Sequence, residues 1–191
     1  MSPRPRVVVA GGIGSGKSTV IGALSELGWS VINADEVGRE VLKDPDVIEA
    51  VAARWPGAVV GGAVSRPALA EIVFADSGAL SALEEFTHPR IVGRIERWVE
   101  SSSEPLAVEI SVLKVAKPPW GPLVIVHAPS SVRRKRALER GMAATDVEAR
   151  MAAQPSDSEL LTAADVVIDN QGTLEDLLEE VRRFDQWARS G

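Results

Sequence analysis

The stretch Gly11-Gly12-Ile13-Gly14-Ser15-Gly16-Lys17-Ser18-Thr19 carries residue types that can hold phosphate. Its glycines let the backbone turn inward, so that successive N–H groups point at one anion. A helix beginning near Lys17 would add its positive end to the same place. At this spacing a lysine reaches the β- and γ-phosphates of a nucleoside triphosphate, and the hydroxyl that follows can ligate Mg2+. Gly11-x-x-x-x-Gly16-Lys17-Ser18 fits the Walker A pattern G-x-x-x-x-G-K-[ST]. The competing reading is a turn that happens to contain lysine. The context argues against it: "RVVVA" (Arg6–Ala10) reads as a buried strand before the loop, and "KSTVIGALSEL" (Lys17–Leu27) as an amphipathic helix after it.

Other residues could share in chemistry at such a site. Asp35 follows a strand and opens a helix, a position that suits either an N-cap or a carboxylate that orients a hydroxyl. Arg39, one helical turn on, could grip an acceptor phosphate bidentately or pair locally with Asp35. His88 precedes Pro89 and is either a binding residue or the shaper of a helix end. His127 ends a strand and reads as a packing or loop residue. In the basic run "SSVRRKRALER" (Ser130–Arg140), Arg133, Arg134 and Lys135 read as solvated surface, and Arg136 and Arg140, a turn apart, as the better phosphate candidates. The five tryptophans are scattered and read as packing.

The elements that must position these groups alternate in type. "WSVIN" (Trp29–Asn33), "PLAVEIS" (Pro105–Ser111), "PLVIVHA" (Pro122–Ala128) and "DVVID" (Asp165–Asp169) read as four further strands, with mostly helical stretches between them. Strands alternating with helices predict a parallel sheet covered on both faces. The stretch from Ala34 to Glu104 is far longer than one crossover helix and reads as an inserted helical lobe over the carboxyl ends of the strands. A second helical excursion, Ser130 to Ala164, precedes the last strand. The usual Walker B strand is missing; its nearest substitute is "LAVE", ending in Glu109. Hydrophobic content of 45% and charged content of 25% suit a globular domain. A net charge of −6 argues against a nucleic-acid binder, and the absence of cysteine excludes disulfides. No run approaches the ~18 apolar residues of a membrane span, and the N-terminus lacks a signal-peptide pattern, so a cytosolic protein is expected.

The motifs in order resemble the dephospho-coenzyme A kinase family nearly from end to end. "GGIGSGKSTV" is similar to that family's phosphate loop, and "VINADEVGREV" (Val31–Val41) to its D-A-D-x-x-x-R segment, with Asp35 and Arg39 in register. Arg66 and Leu69 match its R-x-x-L helix, and "THPRI" (Thr87–Ile91) its H-P-x-I. "RALERGMAATDVEARMAAQ" (Arg136–Gln154) resembles its lid, and "ADVVIDNQG" (Ala164–Gly172) its final strand with Asn170 following. The resemblance implies a P-loop kinase, α/β, with a five-stranded parallel sheet flanked by helices. The core would span residues 1–34, 105–129 and 165–191, the acceptor lobe about 35–104 and the lid about 130–164. It implies ATP and Mg2+, and transfer to the ribose 3′-hydroxyl of dephospho-coenzyme A, a small-molecule partner. It also implies Asp35 as base and Arg140 as the lid arginine. Residues 12–19 (Gly12, Ile13, Gly14, Ser15, Gly16, Lys17, Ser18, Thr19) with Arg136, Arg140 and Asn170 would bind nucleotide. Asp35, Arg39, Arg66 and His88 would face the acceptor.

Several positions depart from the family pattern. Ala10 stands in place of Thr, Asn33 in place of the first Asp, "SVLKV" (Ser111–Val115) in place of P-L-L-F-E, and a basic residue usual near Leu160 is absent. Two rival readings follow: a related kinase with another small hydroxyl acceptor, such as a nucleoside or nucleotide, and a non-catalytic ATP-binding relative.

Overall fold

The computed structural model describes residues 4–111 and 120–190. The first strand, β1 (Arg6–Ala10), has only its first residue exposed, as expected of a valine-rich strand covered on both faces. The phosphate loop leads from it into α1 (Lys17–Glu26). This helix ends in a Schellman motif: the Trp29 N–H donates to Leu24 O at 3.0 Å and the Gly28 N–H to Ser25 O at 3.0 Å. Gly28 takes φ 83°, which a side chain would disfavour, and Leu24 and Trp29 then meet in the core.

Strands β2 (Ser30–Asn33), β5 (Leu106–Glu109), β6 (Leu123–His127) and β7 (Val166–Asp169) join β1 in a parallel sheet ordered β2-β5-β1-β6-β7. Register places Val9 beside Glu109 and Val124, and Asn33 beside Glu109. All five strands run the same way, so Ala10, Asn33, Glu109, His127 and Asp169 share one carboxyl edge. That edge is where ligands bind in open parallel sheets. Helix α9 (Leu174–Ser190) buries Leu177, Val181 and Phe184 against the sheet, and Phe184 stacks on Trp29 with centroids 6.0 Å apart. Between β6 and β7 lie α6 (Ser130–Glu139), α7 (Ala144–Ala152) and α8 (Asp157–Ala163).

The chain divides into two compact units, Met1–Asn33 with Ser101–Gly191, and Ala34–Glu100. The second holds α2 (Ala34–Val41), α3 (Pro45–Arg54), a hairpin of β3 (Val59–Val60) and β4 (Ala63–Val64), α4 (Arg66–Ala75) and most of α5 (Ser77–Ser101). The stretch expected only as a Gly/Val-rich turn is therefore a small antiparallel hairpin closed at Gly61-Gly62. Helix α5 runs through Pro89 without ending there. Pro89 offers no N–H to the turn before it; in the same stretch Thr87 Oγ1 donates to Leu83 O at 2.7 Å and Arg90 to Phe86 O at 2.6 Å. Arg90 also pairs with Asp46, and Arg94 with Asp44 at 2.5 Å, tying α5 to the start of α3. The Arg90 pair holds the Asp46 carboxyl below its usual range.

Candidate active site

The phosphate loop is a tight backbone cradle. The Ser15 N–H donates to Gly12 O at 3.1 Å, and the Thr19 and Val20 N–H groups both donate to Gly16 O, starting α1. Gly16 sits in the left-handed region at φ 99° immediately before the helix. The Lys17 ammonium folds back over the loop and donates to Gly11 O at 2.7 Å. It is thus already held above the amides it would serve. Ser15 is fully buried, and its hydroxyl has no hydrogen-bond partner among the described residues. Ser18, in the first turn of α1, is exposed.

Arg136 and Asn170 stand behind the loop. Arg136 donates to Asn170 O at 2.9 Å and Oδ1 at 3.4 Å, and Asn170 Nδ2 donates to Ser15 O at 2.7 Å. Arg140 lies exposed at the C-cap of α6. Arg134 pairs on the surface with Glu148 at 2.9 Å, and Lys135 is exposed, as expected. Arg133 is not solvated surface. It is 5% exposed, donates to Ala128 O and Ile13 O, and pairs with Asp157 at 2.6 Å. Its position in α6 turns it inward between the loop and α8, which the charge run alone did not reveal. Gln154, whose Oε1 accepts from the Ile13 N–H at 2.8 Å, was likewise not singled out as a site residue.

At the sheet edge, Asn33 Nδ2 donates to Glu109 Oε2 at 2.7 Å. In the other unit, Asp35 is exposed in the first turn of α2, and that helix begins at Ala34. Asp35 is therefore inside the helix and is not its N-cap. Arg39 makes an ion pair with Glu36 at 3.5 Å. Arg66 opens α4 and is exposed; His88 is exposed within α5 and shapes no helix end.

Three of the departing positions lie together. Ala10, Ser111 and Leu160 line one small cavity with Gly11, Gly12, Gln154 and Pro155, against the phosphate loop. The rest of "SVLKV" lies outside the described residues.

Comparison with known proteins matches this geometry. The family model for dephospho-CoA kinase (CoaE) covers residues 6–176. The chain belongs to the dephospho-CoA kinase family. A dephospho-CoA kinase of Leifsonia xyli subsp. xyli is 37% identical over 191 residues, covering 94% of this chain and 96% of the relative. The crystal structure of TT1252 from Thermus thermophilus superposes with a TM-score of 0.86 at 32% identity, covering 99% of this chain and 100% of that one. A dephospho-CoA kinase from Campylobacter jejuni gives a TM-score of 0.67 at 25% identity over 97% of each chain. The five-stranded parallel sheet flanked by helices is thus the P-loop kinase fold expected from the sequence. Among the described residues, no helix is long and apolar enough to cross a membrane.

Proposed function

We propose that this chain transfers the γ-phosphoryl group of ATP to the ribose 3′-hydroxyl of dephospho-coenzyme A, giving coenzyme A and ADP. The observation that carries the reading is the family match across residues 6–176, which includes the phosphate loop. The acceptor oxygen forms a bond to the γ-phosphorus as the bond to the β,γ-bridging oxygen breaks. Lys17 and the loop amides balance the charge on the phosphate oxygens. No cluster of three or more His, Asp or Glu side chains among the described residues could hold a metal by itself. Mg2+ is assigned to the Ser18 hydroxyl, at the Walker A serine position, together with phosphate oxygens, where it would neutralise phosphate charge.

Asp35 orients the acceptor hydroxyl and takes its proton. Arg39, Arg66 and His88 bind the acceptor, and residues 35–104 form the acceptor lobe. Residues 130–164 form the lid, and its Arg140 meets the phosphates, with Arg136 behind. The chain works in the cytoplasm on soluble metabolites. A coupled assay of ADP release, with and without dephospho-coenzyme A, tests the reading. Release dependent on that acceptor, and reduced about 10²–10³-fold in Lys17→Ala, is expected. Equal release on another hydroxyl and none on dephospho-coenzyme A would leave the chemistry standing and remove the named substrate.

A further inference from the structure

Convergent amide dipoles repel one another when no anion lies between them, so a phosphate loop needs outside support to keep its shape. Three side chains supply it here. Asn170 Nδ2 donates to Ser15 O at 2.7 Å, Arg133 donates to Ile13 O at 3.4 Å, and Gln154 Oε1 accepts from the Ile13 N–H at 2.8 Å. A trans peptide is planar, with its C=O and the next N–H pointing in opposite directions. Fixing Ile13 C=O therefore aims the Gly14 N–H, and fixing Ser15 C=O aims the Gly16 N–H, each away from its brace.

The braces are themselves anchored. Arg133 is held by Ala128 O at 3.0 Å and by Asp157 in the first turn of α8. Asn170 is 6% exposed, takes the two bonds from Arg136, and donates its backbone N–H to His127 O at 2.7 Å. The supports press close. A side chain at Gly12 would run into the Arg133 guanidinium, one at Gly14 into the backbone of Arg133, and one at Gly16 into the Asn170 amide. Glycine at these places thus admits the braces as well as the ligand.

We propose that Arg133, Gln154 and Asn170 are positioning residues that hold the phosphate loop in its anion-binding shape before ATP arrives. Asn170 then serves the nucleotide through Ser15, its own amide being already engaged. The proposal rests on the ATP-binding reading above and not on the identity of the acceptor. Gln154 is the best test, because it is only half-buried and takes no part in the Arg133–Asp157 pair.

Gln154→Met removes the acceptor at similar length. It should weaken binding of tripolyphosphate, a probe of the phosphate subsites alone, by about tenfold or more, with a matching loss in kcat/KM for ATP. Affinity for adenosine should not change, nor should the melting temperature without ligand by more than a few degrees. Gln154→Glu keeps an acceptor at the same reach and should recover most of the loss. Asn170→Ala provides a second variant with the same expected pattern. Wild-type tripolyphosphate affinity in Gln154→Met and in a folded Asn170→Ala would overturn the proposal. So would a loss confined to adenosine, which would make these groups base contacts. A wild-type protein that binds tripolyphosphate and ignores dephospho-coenzyme A would sink the substrate reading and leave the braces standing.

Discussion

At the scale of single residues, Asp35 decides between a structural carboxylate and a chemical one. It lies in the first turn of α2, where a negative charge favours the helix dipole by about 0.3–1 kcal/mol. General-base catalysis is worth far more, about 10²–10⁴ in rate. Asp35→Asn keeps the shape and removes the proton acceptor. The expected outcome is a folded, ATP-binding protein with turnover on dephospho-coenzyme A reduced at least about a hundredfold, measured in steady state. Turnover above a tenth of wild type would place the base elsewhere. The neighbouring Asn33 has no ionisable group and is bound to Glu109, so it offers no substitute. The N-cap that the sequence offered as one of two readings of Asp35 falls two residues away, at Asn33, because α2 begins at Ala34; side-chain type fixes a helix start only to a residue or two.

At the scale of elements, the α1 C-terminus shows how local sequence and packing agree. Gly28 supplies the left-handed turn, and Leu24 and Trp29 close the apolar contact that goes with it. Leu24 lies on the same helix as Lys17 and Ser18 and is fully buried. Leu24→Ala should lower unfolding free energy by about 2–5 kcal/mol, read as a shift of the urea midpoint at unchanged slope. Activity per folded molecule should survive, since the loop's own hydrogen bonds are untouched. Helix α8 is fastened differently, by a capping box in which Ser156 and Glu159 satisfy each other's backbone N–H groups. The Ser156 hydroxyl, then its N–H, hold the Glu159 carboxyl below the usual glutamate range. That box starts the turn from which Asp157 reaches Arg133.

At the scale of the whole molecule, ligand and fold are linked by mass action. A nucleotide that binds only the folded loop, at a hundred times its dissociation constant, adds about 2.7 kcal/mol to stability. For a chain of this size that corresponds to a rise of about 5–11 °C in melting temperature. ATP should produce this shift and adenosine a much smaller one, because the braced loop recognises phosphate. Equal shifts by thermal denaturation would mean that the base, and not the loop, carries the affinity.

Sequence by itself determined the five strands of the parallel sheet and the phosphate loop between β1 and α1. These follow from short-range patterns: β-branched runs, glycine spacing and helical periodicity. Only the tertiary structure decided which polar groups support the loop. Arg133 is one cation in a basic run, and nothing in its neighbours tells it from Arg134. Burial selects it, because α6 turns that one position toward Ile13 and Asp157 while Arg134 faces Glu148. Gln154 and Asn170 meet the loop from 141 and 155 residues away along the chain, a distance across which no local pattern carries information. The continuation of α5 through Pro89 has the same origin. Proline disfavours a continuous helix from local geometry, yet α5 runs through it, tied to the start of α3 by Arg90–Asp46 and Arg94–Asp44.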